Sequence, residues 1–177
     1  MFPILETERL ILREITVDDT PAIFDLFSNN DVTRYYGMDS FTTTNQAKQL
    51  VEVFAKNYKE NRGIRWGIEV KHHEGIVGTI GFNAWHQKHK RAEIGYELHP
   101  NNWGKGYARE AVSKVIEYGF NFLDLERIGA IVYLENEASS TLLTKLGFEK
   151  EGILKKYMYQ SGTSYDTTSF SLLKNRF

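Results

Sequence analysis

Residues Arg91–Glu110 read RAEIGYELHPNNWGKGYARE. Over the first eight, Ala92, Ile94, Tyr96 and Leu98 alternate with Glu93, Gly95 and Glu97, the two-residue period of a strand. Beyond Tyr107 the period changes. Ala108, Ala111, Val112, Val115, Ile116, Gly119 and Phe120 then form one apolar stripe at helical spacing. Between strand and helix stands Trp103-Gly-Lys-Gly-Tyr-Ala108. Its two glycines let the backbone turn so that successive N–H groups converge, and the helix N-terminus adds roughly half a positive charge. Each charge-assisted bond from such a group contributes about 1.5–3 kcal/mol, so the junction is predicted to hold a phosphate or diphosphate. A Walker loop would need Lys-Ser/Thr after its last glycine, where Tyr107 stands. A dinucleotide fingerprint from Gly104 would need Gly or Ala where Arg109 stands. On its glycines alone, the segment reads equally well as a turn that merely leads the chain into a helix.

Upstream, Leu10 and Leu12 alternate with Ile11, Arg13 and Ile15, a strand with apolar residues on both sides. Thr16-Val-Asp-Asp19 resembles a capping box ahead of a short helix that turns Ile23, Leu26 and Phe27 inward. Thr43 or Thr44 caps a second helix, with Ala47, Leu50, Val51, Phe54 and Tyr58 at helical spacing. Trp66–Val70 and Ile76–Asn83 read as a hairpin. Downstream, Arg127–Leu134 reads as a buried strand and Ala138–Leu146 as a short helix closed by Gly147. Two strands follow, near Gly152–Tyr159 and Tyr165–Leu173. The order β-α-α-β-β-β-α-β-α-β-β predicts an α/β (α+β) fold, one domain over residues 1–177, with helices on both faces of one sheet.

Composition narrows the function. The 177 residues carry no cysteine, which removes disulfides, thiolate metal sites and a cysteine nucleophile. A formal net charge of −1 gives no basic field for nucleic acid, which is not an expected partner. His72, His73, His86, His89 and His99 show no metal-ligand spacing, so no metal is expected. No segment approaches the roughly 18 apolar residues of a membrane span. With Glu6 and Glu8 the N-terminus does not read as a signal peptide. A cytoplasmic protein is expected.

The longer pattern bears on the loop. Ala92-Glu-Ile-Gly-Tyr-Glu-Leu98, Trp103-Gly-Lys-Gly-Tyr-Ala108 and Glu110-Ala111 resemble the GNAT N-acetyltransferases, with closest likeness to the RimJ/RimL branch, which acetylates ribosomal-protein N-termini. Asn136-Glu-Ala-Ser139, Leu142 and Lys145-Leu-Gly-Phe148 resemble that family's second half. Thr7-Glu-Arg-Leu10 with Leu12-Arg13 resembles its opening strand, and Asp166 with Phe170-Ser-Leu-Leu173 its closing one. The resemblance covers nearly the whole chain. It implies a mixed, mostly antiparallel sheet of about six or seven strands whose third and fourth core strands splay into a V-shaped cleft. It implies acetyl-CoA as co-substrate and a primary amine as acceptor. The pantetheine arm would lie along the Glu93–Leu98 strand beside Leu98 and His99. Lys105, Gly106, Tyr107 and Ala108 would donate N–H groups to the pyrophosphate, with Trp103, Gly104 and Arg109 also in the cofactor site, while Asn136 would hold the arm and Ser139 would lie near the sulfur. The superfamily contains monomers and dimers, so a homodimer stands among the expected partners.

Direct transfer needs a neutral amine and a proton for the departing thiolate. Glu93 matches a general-base position of some superfamily members, and Glu97 is a second carboxylate on the same strand face. Either also reads as a solvated or salt-bridged glutamate. Many superfamily members keep a tyrosine acid where Leu143 stands here. Ser139 is the alternative that the resemblance offers, and it reads equally as a helix N-cap or first-turn hydroxyl. Tyr133 and Tyr159 are further donors. The resemblance implies a protein N-terminal α-amine as acceptor. A small-molecule amine such as a polyamine, amino acid, aminoglycoside or peptide antibiotic is the alternative, and a CoA-binding sensor without turnover belongs to a different class. The acceptor walls are expected in Asn29–Thr44 and the Tyr157–Tyr165 hairpin.

Overall fold

The computed structural model describes every residue, Met1–Phe177. Its elements are β1 (Leu5–Glu6), β2 (Leu10–Glu14), α1 (Thr20–Phe27), α2 (Asn30–Thr33), α3 (Thr44–Lys59), β3 (Ile64–Val70), β4 (Ile76–His86), β5 (Arg91–Leu98), α4 (Tyr107–Asn121), β6 (Arg127–Tyr133), α5 (Glu137–Lys145), β7 (Glu149–Gln160) and β8 (Thr163–Leu173). The strands form one eight-stranded sheet in the order β1-β2-β3-β4-β5-β6-β8-β7. The expected order holds with two additions, the two-residue β1 and the single turn α2. Both are too short to show a period in sequence.

Local chemistry sets the helix starts. Asp19 accepts the Thr16 amide at 2.8 Å ahead of α1, and Gln46 accepts the Thr43 amide at 3.0 Å ahead of α3, two reciprocal capping boxes. Strand alternation then divides the apolar residues. Trp66 and Ile68 of β3, Ile80 and Phe82 of β4, and Ile94 and Leu98 of β5 pack with Val112, Val115, Ile116 and Phe120 of α4 and Leu143 of α5. On the other side, Ile15 and Ile76 pack with Ile23, Leu26 and Phe27 of α1, Val32 of α2 and Ala47 and Val51 of α3. Each helix layer thus covers one face of the sheet.

All neighbouring strands are antiparallel except β5 and β6. These two run parallel, joined through α4, and pair only from Arg91↔Arg127 to Glu93↔Gly129. Beyond that point β5 stays with β4 as far as Leu98↔Gly78, and β6 stays with β8 as far as Tyr133↔Thr167. Ile94–Leu98 and Ala130–Tyr133 therefore face each other across an opening wedge. Counted from β2, the wedge separates the fourth and fifth long strands, one place later than expected. The third and fourth, β4 and β5, meet through the tight connection at Gln87–Lys90 and stay paired along their length. No helix is long and apolar enough to cross a membrane.

Candidate active site

The wedge opens into a cavity of about 640 Å³. The Trp103–Ala108 loop forms one end. Gly104 and Gly106 adopt φ of +73° and +81°, left-handed geometry that favours glycine. Gly106 is the N-cap of α4, and the first helical bond runs from the Glu110 amide to the Gly106 carbonyl at 3.1 Å. The N–H groups of Gly104 through Arg109 donate to no protein acceptor. A run of free donors ahead of a helix dipole suits a diphosphate. Arg9, in the turn just before β2, braces the loop. Its Nη1 donates to the Lys105 carbonyl at 2.8 Å and its Nε to Glu110 Oε2 at 2.7 Å, and the guanidinium lies 4.8 Å from the Tyr107 ring centre. The Arg9 amide and the Thr7 hydroxyl both donate to Glu110 Oε1, at 2.8 and 2.5 Å.

Of the residues expected around the co-substrate, Leu98, Trp103, Gly104, Gly106, Tyr107, Ala108, Arg109, Asn136 and Ser139 line the cavity. The Trp103 indole donates to the Leu98 carbonyl at 2.8 Å and ties the loop to the end of β5. Lys105 and His99 stand outside the lining. His99 instead faces Asp25 at 3.3 Å through Nε2 and accepts the Asn101 amide through Nδ1.

Asn136 caps α5 by accepting the Ser139 amide at 3.3 Å. The Ser139 hydroxyl is therefore not the cap. It pairs at 2.7 Å with the Tyr96 hydroxyl, across the wedge on β5. Burial raises the Tyr96 phenol to about 12, against the hydrogen bond to Ser139, which pulls it down. Leu143 is fully buried in the core.

On the opposite face of β5 the Glu97 carboxylate is 7% exposed and the Arg65 guanidinium, from β3, 4%. Glu97 Oε2 accepts from Arg65 Nη2 and, at 2.6 Å, from the Thr79 hydroxyl. Arg65 also donates to Thr79 Oγ1 at 3.0 Å and to the Gly95 carbonyl at 3.1 Å. Burial alone would lower the Arg65 pKa, but Glu97 reverses this and holds the guanidinium charged. The side chain can cross β4 to reach β5 because both strands carry glycine beneath it: a Cβ on Gly81 would meet Arg65 Cδ at 3.0 Å, and one on Gly95 would meet Arg65 Nη1 at 3.3 Å. Tyr36 lies nearby, its phenol pushed up by burial and by the Glu97 charge.

Glu97 lines the cavity and Glu93 does not. Glu93 sits where β5 and β6 are still paired, opposite Gly129. Tyr133 lines the cavity, whereas Tyr159 is exposed on β7 outside it. The other end of the cavity is built by Asp31, Val32, Arg34, Tyr35 and Tyr36 with Tyr133 and Met158.

Tyr96, Arg65 and Thr79 join the site without any motif that marks them in the sequence. Tyr96 was reachable, since it shares a strand face with Leu98. Arg65 and Thr79 carry no local signal, because their roles depend on the register Gly67↔Thr79 and Thr79↔Glu97.

The GNAT acetyltransferase domain model matches residues 9–149. The chain is 57% identical over 176 residues, 99% of each chain, to the uncharacterized N-acetyltransferase YoaA of Bacillus subtilis (strain 168). The crystal structure of spermidine N-acetyltransferase from Vibrio cholerae in complex with CoA and spermine superposes with a TM-score of 0.85 at 24% identity, over 96% of this chain and 98% of that one. RimL, the ribosomal L7/L12 alpha-N-protein acetyltransferase, in complex with CoA superposes at 0.86 with 20% identity, over 97% and 98%. The family match takes in the bracing Arg9, the glycine loop, the wedge and Asn136 together. This chain is an acetyltransferase of the GNAT family, and acetyl-CoA is its acetyl donor.

Proposed function

We propose that the acceptor is a single α-amine, that of a protein or peptide N-terminus, acetylated by direct transfer. The observation that supports this is the charge inventory of the cavity wall. Its carboxylates are Asp31 and Glu97 and its cations Arg34 and Arg109. Glu97 is already neutralised by Arg65 and bonded to Thr79. A polyamine presents several cations and is matched by a surplus of free carboxylates, which this wall lacks. The fold does not discriminate, since RimL and the spermidine enzyme superpose almost equally well.

The chemistry is consistent with an α-amine. With a pKa of about 8, against about 10.4 for a lysine-type amine, it is easier to deprotonate by about 3 kcal/mol. A weak base suffices. Glu97 Oε1, which has no protein partner, is the proposed receiver of the amine proton, directly or through water, in preference to Glu93. Ser139, paired with Tyr96, is the proposed proton donor to the departing thiolate. The Gly104–Arg109 amides are proposed to hold the pyrophosphate, with Asn136 on the pantetheine arm.

Thiol release from acetyl-CoA should be measured with peptides bearing free or blocked N-termini, with spermidine and spermine, and with aminoglycosides. Free-N-terminus peptides are expected to give the highest kcat/KM. A higher value on spermidine or spermine, or equal turnover of blocked lysine-containing peptides, overturns the reading.

A further inference from the structure

The acceptor end of the cavity is assembled from three distant pieces of chain: Asp31–Tyr36, Tyr133 at the end of β6, and Met158 on β7. The side-chain amide of Gln160, at the end of β7, joins them. Its Nε2 donates to the Thr33 and Met38 carbonyls, both at 2.8 Å. Its Oε1 accepts the Gly37 amide at 3.1 Å and the Tyr133 hydroxyl at 2.9 Å. Two donors meet two carbonyls and one acceptor meets two donors, so only one orientation of the amide satisfies the set. Beside it, Asp39 Oδ1 accepts the Ser161 hydroxyl at 2.6 Å and the Ser161 amide at 3.1 Å. The two chains also approach closely here. Gly37 has φ +81°, and a Cβ on it would overlap the Met158 methyl.

We infer that Gln160 is a specificity-determining latch: it holds the β7–β8 tip against the segment after α2 and so sets the width of the acceptor end. This rests on the acceptor occupying that end, opposite the glycine loop. Each half is secured without the latch. The hairpin is paired to its tip through Gln160↔Thr163, and the α2 segment is held by Phe27, Val32 and Phe41. Gln160 therefore governs the relation between the halves more than the folding of either. Tyr133 is oriented by the same bond, with its ring stacked on Tyr165 and edge-on to Tyr35 at centroid distances of 5.1 and 6.0 Å.

Gln160→Glu tests the chemistry at nearly constant shape, because it sets a carboxylate oxygen against the two carbonyls that Nε2 now serves. With the full chain and an amine that the wild type accepts, the acceptor KM should rise about tenfold or more, the effect of one or two lost hydrogen bonds. The KM for acetyl-CoA should stay within about twofold on the same scale, and the preference for a slim over a bulky amine should weaken. An unchanged acceptor KM and size preference in the folded variant overturns the latch. So does a parallel rise in both KM values with a lowered Tm, the signature of a general structural tie. If Gln160→Glu does not fold, Tyr133→Phe removes one of the four bonds. A smaller shift of acceptor KM in the same direction is then expected, and no shift overturns the inference. If the wild type acetylates only amines other than peptide N-termini, the α-amine reading fails while the latch is tested unchanged on those amines.

Discussion

Tyr96 and Glu97 are neighbours on β5, and the two-residue period of a strand sends them to opposite faces of the sheet. One reaches Ser139 on the side of α4 and α5, and the other reaches Arg65 on the side of α3. On the proposed reading, a hydroxyl pair on one face and a carboxylate on the other would serve a transfer in which the amine loses a proton and the thiolate gains one. Ser139→Ala should lower kcat by about 10²-fold, within the usual range for general acid catalysis, with the acetyl-CoA KM retained. Tyr96→Phe should lower it less, and a kcat unchanged in both variants leaves the pair without a catalytic role. Glu97→Gln should lower kcat far more than Glu93→Gln, and the reverse ranking in steady-state assays would return the base role to Glu93. Arg65→Met strands the buried Glu97 charge and should destabilise the fold by about 3–5 kcal/mol in urea titrations, a loss that pairing it with Glu97→Gln should largely recover.

The junction of β5 and α4 acts as an element through its brace. Glu110, in the first turn of α4, receives the Thr7 hydroxyl, the Arg9 amide and the Arg9 guanidinium. Burial pushes its carboxyl up, but these bonds outweigh burial and hold it below the usual carboxylate range. Arg9 also bonds the Lys105 carbonyl, so the turn before β2 and the loop are fixed as one piece. Glu110→Ala should leave the loop amides present but less ordered. The expected outcome is an acetyl-CoA KM raised about tenfold, equivalent to about 1.4 kcal/mol, with kcat at saturation nearly retained. Isothermal titration with CoA would check this, and an unaltered affinity would show that the glycines and the helix suffice alone.

At the scale of the molecule, several carboxylates tie distant elements together. Arg127 and then Ser171 draw Glu151 down to about 2. Burial raises Asp19, but Arg13 and the Thr16 amide outweigh it and leave its pKa lowered. A depressed folded-state pKa contributes stability that is present above the unfolded value of about 4 and is lost as pH falls through the folded one. Thermal melts should therefore be nearly flat from about pH 5 to 7 and fall progressively below about pH 4.5; a midpoint independent of pH down to 3 would contradict this. Much of the fold was legible in the chain because strands, caps and glycine turns depend on residues a few positions apart: the alternation of Arg91–Leu98, the turns at Gly104 and Gly106, the capping box at Thr16 and the threonine cap at Thr43 or Thr44. The glycine-loop end of the cleft is built from such local pieces, and so it could be read. The Arg65–Glu97 pair and the bond from Gln160 to Thr33 join residues 32 and 127 positions apart. Strand register and the packing of the hairpin tip on the α2 segment bring them together, and neither leaves a periodic trace. The sequence by itself therefore determined the glycine loop and the family, while only the tertiary structure decided between which strands the wedge opens, which carboxylate faces the cavity and what closes the end opposite the loop, because those contacts arise between elements.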